Sequence, residues 1–112
     1  MSTKLVSVSI ITYNHEDYIG ECIESVVNQV VGFEYEIVIG QDCSTDATHV
    51  ICLHYANLYP DLIRYNPRNH NLGMIGNCVA TIKECSGKYI AICEGDHYWT
   101  DPSKLQKQVD FL

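Results

Sequence analysis

Leu5-Val6-Ser7-Val8-Ser9-Ile10-Ile11-Thr12-Tyr13-Asn14-His15 decides how the rest of the chain is read. Its first seven residues alternate and then run apolar, are rich in β-branched side chains, and give way to a polar turn. That is the pattern of a buried strand. Asn14 is placed to cap the helix that follows, and Glu16 and Asp17 fall in its first turn, where the helix dipole favours anions. Tyr18, Ile19, Cys22, Ile23, Val26 and Val27 then form one helical stripe. The unit is strand, polar turn, helix.

The same unit recurs along the chain. After a loop around Gly32, Tyr35-Glu36-Ile37-Val38-Ile39 is a second apolar run, ending in Gly40-Gln41-Asp42-Cys43-Ser44-Thr45-Asp46. Val50, Ile51, His54, Tyr55 and Leu58 give the next helical stripe, and Pro60 closes it. Residues 62–66 make a short third strand and residues 67–73 a loop. Met74, Ile75, Cys78, Val79, Ile82 and Cys85 trace a third helical face, with Gly87 where a helix C-cap prefers glycine. Tyr89-Ile90-Ala91-Ile92-Cys93 is a fourth strand, apolar enough to be internal in a parallel sheet. Asp101-Pro102 reads as cap and first position of a last helix, with Leu105, Val109 and Leu112 on one face.

Such alternation predicts an α/β domain with a mainly parallel sheet and flanking helices. An internal fourth strand needs a neighbour on its far side, and no fifth strand follows. The chain is therefore expected to be the N-terminal part of a larger domain, truncated after the fourth strand and its following helix. The alternative is that a partner covers the edge, with self-association through the exposed sheet edge as the expected mode.

At 112 residues the length fits one domain, or part of one. Fourteen acidic residues against seven Lys and Arg argue against nucleic-acid backbones and anionic membrane surfaces as partners. The longest apolar stretch, residues 26–33, is interrupted and too short to span a bilayer, and no signal peptide is evident. Six cysteines without a Cys-x-x-Cys pair, most of them inside apolar patterns, read as core thiols in a reducing cytoplasm rather than as a disulfide framework or zinc site.

In a parallel α/β sheet, ligands bind outside the carboxyl ends of the strands, and three polar turns fall there: residues 12–15, 41–46 and 94–101. Asn14, Ser44 and Asp101 each have a second reading as helix caps. Asp42 stands two residues ahead of such a cap and is left for a ligand. Glu94-Gly95-Asp96-His97 combines hard carboxylate donors, a glycine that lets backbone approach a ligand, and an imidazole compatible with Mn²⁺; the alternative is an acidic surface loop. Tyr98 and Trp99 are expected to wedge this turn against the sheet. His49 and His54 are five apart, off the helical spacing for shared ligation, and His15 and His70 fall in loops. Amides of residues 69–77, which open the third helix, are candidates for a phosphate. Neither the phosphate-binding loop, the dinucleotide fingerprint nor the nucleophile elbow is present.

Ordered motifs together carry a resemblance: Val8-Ser9-Ile10-Ile11-Thr12-Tyr13-Asn14; Glu24-Ser25-Val26-Val27-Asn28-Gln29; Glu36-Ile37-Val38-Ile39-Gly40-Gln41-Asp42-Cys43-Ser44-Thr45-Asp46; Asn71-Leu72-Gly73; Gly87-Lys88-Tyr89-Ile90-Ala91; and Glu94-Gly95-Asp96-His97-Tyr98-Trp99-Thr100-Asp101-Pro102-Ser103-Lys104-Leu105. Over essentially its whole length the chain resembles the N-terminal half of a family 2 glycosyltransferase of the Rossmann-like GT-A fold. The resemblance implies binding of a nucleotide-sugar, commonly with UDP, and sugar transfer to an acceptor hydroxyl with help from Mn²⁺ or Mg²⁺. It places Thr12, Tyr13 and Asn14 at the base and ribose and Asp42 on the base. Asp96 falls at the ribose and diphosphate, and Asp96 and His97 at the metal. His97 stands where the family commonly has an aspartate. The family's general base would lie beyond Leu112, so no catalytic residue is assigned. The acceptor would be a glycan or lipid-linked molecule and the location cytoplasmic, at the inner face of the membrane. A non-catalytic nucleotide-binding or interaction module of the same fold is the competing reading.

Overall fold

The computed structural model describes residues 4–112. Four strands and four helices alternate: β1 (Val6–Thr12), α1 (Ile19–Val27), β2 (Tyr35–Gln41), α2 (Thr48–Leu58), β3 (Ile63–Pro67), α3 (Gly73–Glu84), β4 (Tyr89–Ile92) and α4 (Lys104–Phe111). All strand pairs are parallel, in the order β3-β2-β1-β4, so the chain moves outward from β1 through β3 and then crosses back to the other side of β1. The expected α/β fold with a parallel Rossmann-like sheet is what forms.

The alternation in the opening stretch has a direct structural meaning. Val6, Val8 and Ile10 project from one face of β1, in register with Tyr35, Ile37 and Ile39 of β2. They close a dry core with Ile19, Cys22, Ile23 and Val26 of α1, Cys52 of α2 and Leu105 of α4. Each fully buried Ile or Val contributes about 1.5 to 3 kcal/mol relative to exposure. Ser7 and Ser9 face the other way, beside Glu36 and Val38, and there the sheet meets α3 through a polar layer.

That polar layer is fully hydrogen-bonded. The Glu36 carboxylate accepts from Ser7 Oγ (2.5 Å), Ser86 N and Ser86 Oγ (2.8 Å each) and Arg64 Nη1 (3.2 Å), while Ser7 Oγ in turn accepts from Gly87 N at 2.7 Å. On α3, Asn77 Nδ2 donates to the Gly40 carbonyl at 2.9 Å. Arg68 holds the Glu84 carboxylate with two parallel bonds of 2.8 and 2.9 Å and also donates to Asn77 Oδ1 and Thr81 Oγ1. Paired in this way, polar groups can be buried without the penalty of an unmade hydrogen bond.

Several local expectations change as a result. The buried residues of α3 are Asn77 and Thr81, whereas Met74 and Ile75 are 73% and 77% exposed; the apolar stripe points outward because the sheet surface beneath α3 is polar. On α2 the inward side carries Thr48, Ile51, Cys52 and Tyr55, while Val50 and Leu58 are exposed. Thr48 Oγ1 accepts from His15 N at 2.9 Å, and this fixes the helix's rotation. Gly87 is not a helix cap. A Cβ there would come within 2.5 Å of Ser7 N, so glycine is what lets the chain cross β1 at this point.

Among the described strands β4 pairs with β1 alone, so its far edge is uncovered by this chain, as expected. Ile92 is 55% exposed, and an open groove of about 740 Å³ runs between β4 and α4, lined by Val6, Ile90, Ile92, Leu105, Val109 and Phe111 among others. Among the described residues no helix is long and apolar enough to cross a membrane.

Candidate functional site

The strand order reverses between β1 and β4, and a cleft of about 410 Å³ opens at the carboxyl ends of the strands there. Ile11, Thr12, Tyr13, His15, Asp42, Asn71, Gly73, Met74, Asn77, Glu94 and Asp96 line it. All three polar turns singled out in the sequence therefore contribute, together with the start of α3.

The turns lock one another. Asn14, at φ 53°, donates from its backbone N–H to Ser44 Oγ (2.9 Å), and its Oδ1 accepts from Thr45 N (2.8 Å). Glu16 Oε2 accepts from Ala47 N, and Asp46 Oδ2 from Glu16 N. These contacts replace the expected capping roles. α1 begins only at Ile19 with no side-chain cap, so Asn14, Glu16 and Ser44 serve to join the loops after β1 and β2. Asp46 Oδ1, accepting from Thr48 N at 2.9 Å, starts α2 instead.

Asp42 is buried, and its Oδ1 accepts from Leu72 N at 2.6 Å while its carbonyl accepts from Asn71 Nδ2. Gly73 N donates to Asn71 Oδ1. Two amides at the start of α3, considered for a phosphate, are thus already engaged inside the protein. Cys43, next in the chain, sits at φ 61° with its thiol on the Arg68 carbonyl at 3.0 Å. Left-handed backbone at non-glycine residues in both strand-end loops shows how tightly these loops are constrained.

Thr12 Oγ1 and His15 Nδ1 share a hydrogen bond of 3.0 Å on the cleft wall. Gly95 lies directly against them: a Cβ there would meet Thr12 Oγ1 at 2.6 Å and His15 Nδ1 at 2.7 Å. Gly95 N also donates to Ile11 O at 3.0 Å, so the turn after β4 is stitched to β1 at its glycine. Glu94, Asp96 and His97 are left at the surface with one potential ligand atom each, all within 4.8 Å of one another. His97 Nδ1 is 3.9 Å from Glu94 Oε2 and 3.8 Å from Asp96 Oδ1.

Of the residues expected at the site, Thr12, Tyr13, Asp42 and Asp96 line one cleft, Asn14 is turned to the neighbouring loop, and His97 stands at the rim beside Asp96. Sequence reasoning passed over His15 and Asn77. His15 carried no signal beyond adjacency to Asn14, and Asn77 was hidden within a helix read by its apolar stripe. Trp99 braces the turn as expected, packed against the core, with its backbone N–H on Ser25 Oγ and Lys104 Nζ 4.8 Å over its ring; Tyr98 is exposed and does not share that role. Asp101 and Pro102 are not the cap and first position expected of them: α4 begins at Lys104 after Ser103, and Asp101 Oδ1 instead accepts from Ser103 N and Oγ in the turn that precedes the helix. His49 and His54 are exposed on α2, and neither lines the cleft.

Known proteins are similar to this chain in sequence and fold. The chain is 44% identical over 107 residues to protein Rv1520 of Mycobacterium tuberculosis, covering 96% of this chain and 31% of the relative. Among solved structures, S. aureus TarS residues 1–349 in complex with UDP superposes with a TM-score of 0.79 at 29% identity, over 96% of this chain and 31% of that 1–349 chain. The mannosyltransferase PcManGT of Pyrobaculum calidifontis, solved with GDP-Man and Mn²⁺, superposes with a TM-score of 0.86 over 100% of this chain and 33% of its own; at 22% identity that likeness concerns the fold. The chain thus spans about a third of the length of these relatives. The model for glycosyl transferase family 2 matches residues 7–112, from the second residue of β1 to the last residue of the chain, and this chain belongs to that family.

Proposed function

We propose that residues 1–112 are the N-terminal, nucleotide-sugar-binding part of a GT-A domain, and that the cleft between β1 and β4 binds the donor of a sugar transfer to an acceptor hydroxyl, with UDP as its nucleotide. The observation that carries this reading is the convergence of Thr12, Tyr13, Asp42 and Asp96 on one cleft at the switch point of the sheet. The likeness to TarS, solved with UDP, supports it.

In this reading Tyr13, 45% exposed at the cleft mouth, offers a ring for the base to stack on. Asp42 has one carboxylate oxygen engaged by Leu72 N, and its second oxygen is available to accept from the base. Thr12 and His15 flank the ribose and diphosphate, and Asn14 keeps the two loops in register. None of the cleft-lining residues is Lys or Arg, so the diphosphate's charge needs another source of compensation. Glu94, Asp96 and His97 fit a divalent cation: two hard oxygen donors and an imidazole, close together and open to solvent, suit Mn²⁺ better than Mg²⁺. Such an ion supplies neutralisation of the charge that develops on a departing diphosphate.

Calorimetric titration of UDP into the chain, with and without Mn²⁺, tests the reading. Binding is expected to strengthen with Mn²⁺, to be lost in Asp96→Ala, and to keep or gain metal dependence in His97→Asp. No UDP binding under either condition would overturn it.

A further inference from the structure

Cys22, on the buried side of α1, and Cys93, just after β4, are 71 residues apart in sequence with their sulfurs 3.5 Å apart. All six cysteines are free, and among the described residues no other two thiols make a hydrogen-bonding contact. Two sulfurs at this separation touch, and closure to a disulfide brings them to a bond length of about 2.05 Å. The pair also lies directly under the proposed donor site. The Glu94 carbonyl is 3.5 Å from Cys22 Sγ and 3.9 Å from Cys93 Sγ, and the His97 carbonyl is 3.9 Å from Cys93 Sγ. The two thiol hydrogens are thus shared between the sulfur–sulfur contact and the backbone carbonyls of the turn that carries Glu94, Asp96 and His97.

We propose that Cys22 and Cys93 form a dithiol modification site that closes to a disulfide with a low-molecular-weight disulfide as oxidant, and that closure displaces the turn at residues 94–97. Only the consequence for donor binding rests on the function proposed above. The step balances as thiol–disulfide exchange. Cys93, 3% exposed against 0% for Cys22 and lying at the end of the edge strand, is the sulfur a reagent reaches on local opening. Its deprotonated sulfur attacks the reagent's disulfide and expels one thiolate, leaving a mixed disulfide. The Cys22 sulfur, losing its proton, then attacks Cys93 and expels the second thiolate. Two S–H bonds break and one S–S bond forms, the reagent's S–S bond becomes two thiols, and the two protons go to the departing thiolates. Closure draws the sulfurs together and removes the two thiol hydrogens, so the Glu94 and His97 carbonyls have no donor left on either sulfur.

The test incubates the folded chain with hydroxyethyl disulfide. Intact mass should fall by two hydrogens, peptide mapping should recover a Cys22–Cys93 cross-linked peptide, the amide NMR signals of residues 94–97 should shift, and dithiothreitol should reverse all three. Cys22→Ala and Cys93→Ala should each abolish the cross-link; if either variant fails to fold, the peptide map of the native chain decides alone. Free Cys22 and Cys93 alongside adducts at Cys43, Cys78 or Cys85 would overturn the site, and a cross-link with unmoved amide signals would overturn its link to the turn. Neither readout requires a nucleotide, so failure of UDP to bind leaves them intact and interpretable.

Discussion

Gly95 is the residue at which the site is most sensitive to a single atom. A methyl group added there collides with Thr12 Oγ1, Thr12 Cβ and His15 Nδ1, all between 2.6 and 2.7 Å away, and two of those atoms sit on the rigid end of β1. Gly95→Ala is expected to destabilise the chain by about 1 to 3 kcal/mol through overpacking, read from the urea midpoint. Because the turn must lift away from Thr12, UDP affinity should fall further than the stability loss alone explains; an unchanged midpoint and affinity would refute the contact. The residue types at this turn were legible in the sequence, since carboxylates, glycine and imidazole in four successive positions suggest ligand chemistry. The reason for the glycine was not, because it depends on a side chain more than 80 residues earlier.

At the level of the element, α3 shows why periodicity alone misleads. Its apolar residues form a stripe in sequence, yet Asn77, Thr81 and Glu84 are the ones bound to the rest of the molecule. Asn77→Ala removes the donor to the buried Gly40 carbonyl and should cost about 1 to 3 kcal/mol, whereas Ile75→Ala should be nearly neutral; comparable denaturation midpoints for the two variants would contradict this orientation. The same layer sets the acid response. Burial raises the Glu36 carboxyl, but hydrogen bonds from Ser7 and Ser86 and the charge of Arg64 outweigh it and hold it below the ordinary 4.5. The Arg68 hydrogen bonds hold Glu84 below 4.5 as well, against its partial burial. Both groups therefore bind protons more tightly in the unfolded chain. Their stabilisation is fully present above about pH 4.5 and is lost as the pH falls through their lower folded values. Urea midpoints measured from neutral pH downward should drop in this window, and Glu36→Gln should flatten the drop while lowering stability at neutral pH.

At the scale of the whole molecule, the four described strands leave an edge on each side of the sheet. β3 is the edge beyond β2, while β4 exposes Ile90 and Ile92 and borders the groove with α4. An open strand edge with apolar side chains is a template for pairing. Self-association of the 112-residue chain through β4 is the expected behaviour, and Ile92→Lys should shift it toward monomer in sedimentation velocity. A native chain that stays monomeric across its soluble concentration range would remove this expectation.

The sequence by itself determined the number, order and type of the elements, the parallel sheet, and the three strand-end turns that form the cleft, because these follow from local periodicity and turn chemistry. Tertiary structure alone decided which face of α2 and α3 is buried, and that Asn14 and Ser44 link loops instead of capping a helix. It also decided that Cys22 meets Cys93. The physical reason is common to all of these: burial and hydrogen-bond pairing depend on what the sheet presents opposite each residue. On one face of β1 and β2 it presents isoleucine and valine, and on the other serine and glutamate.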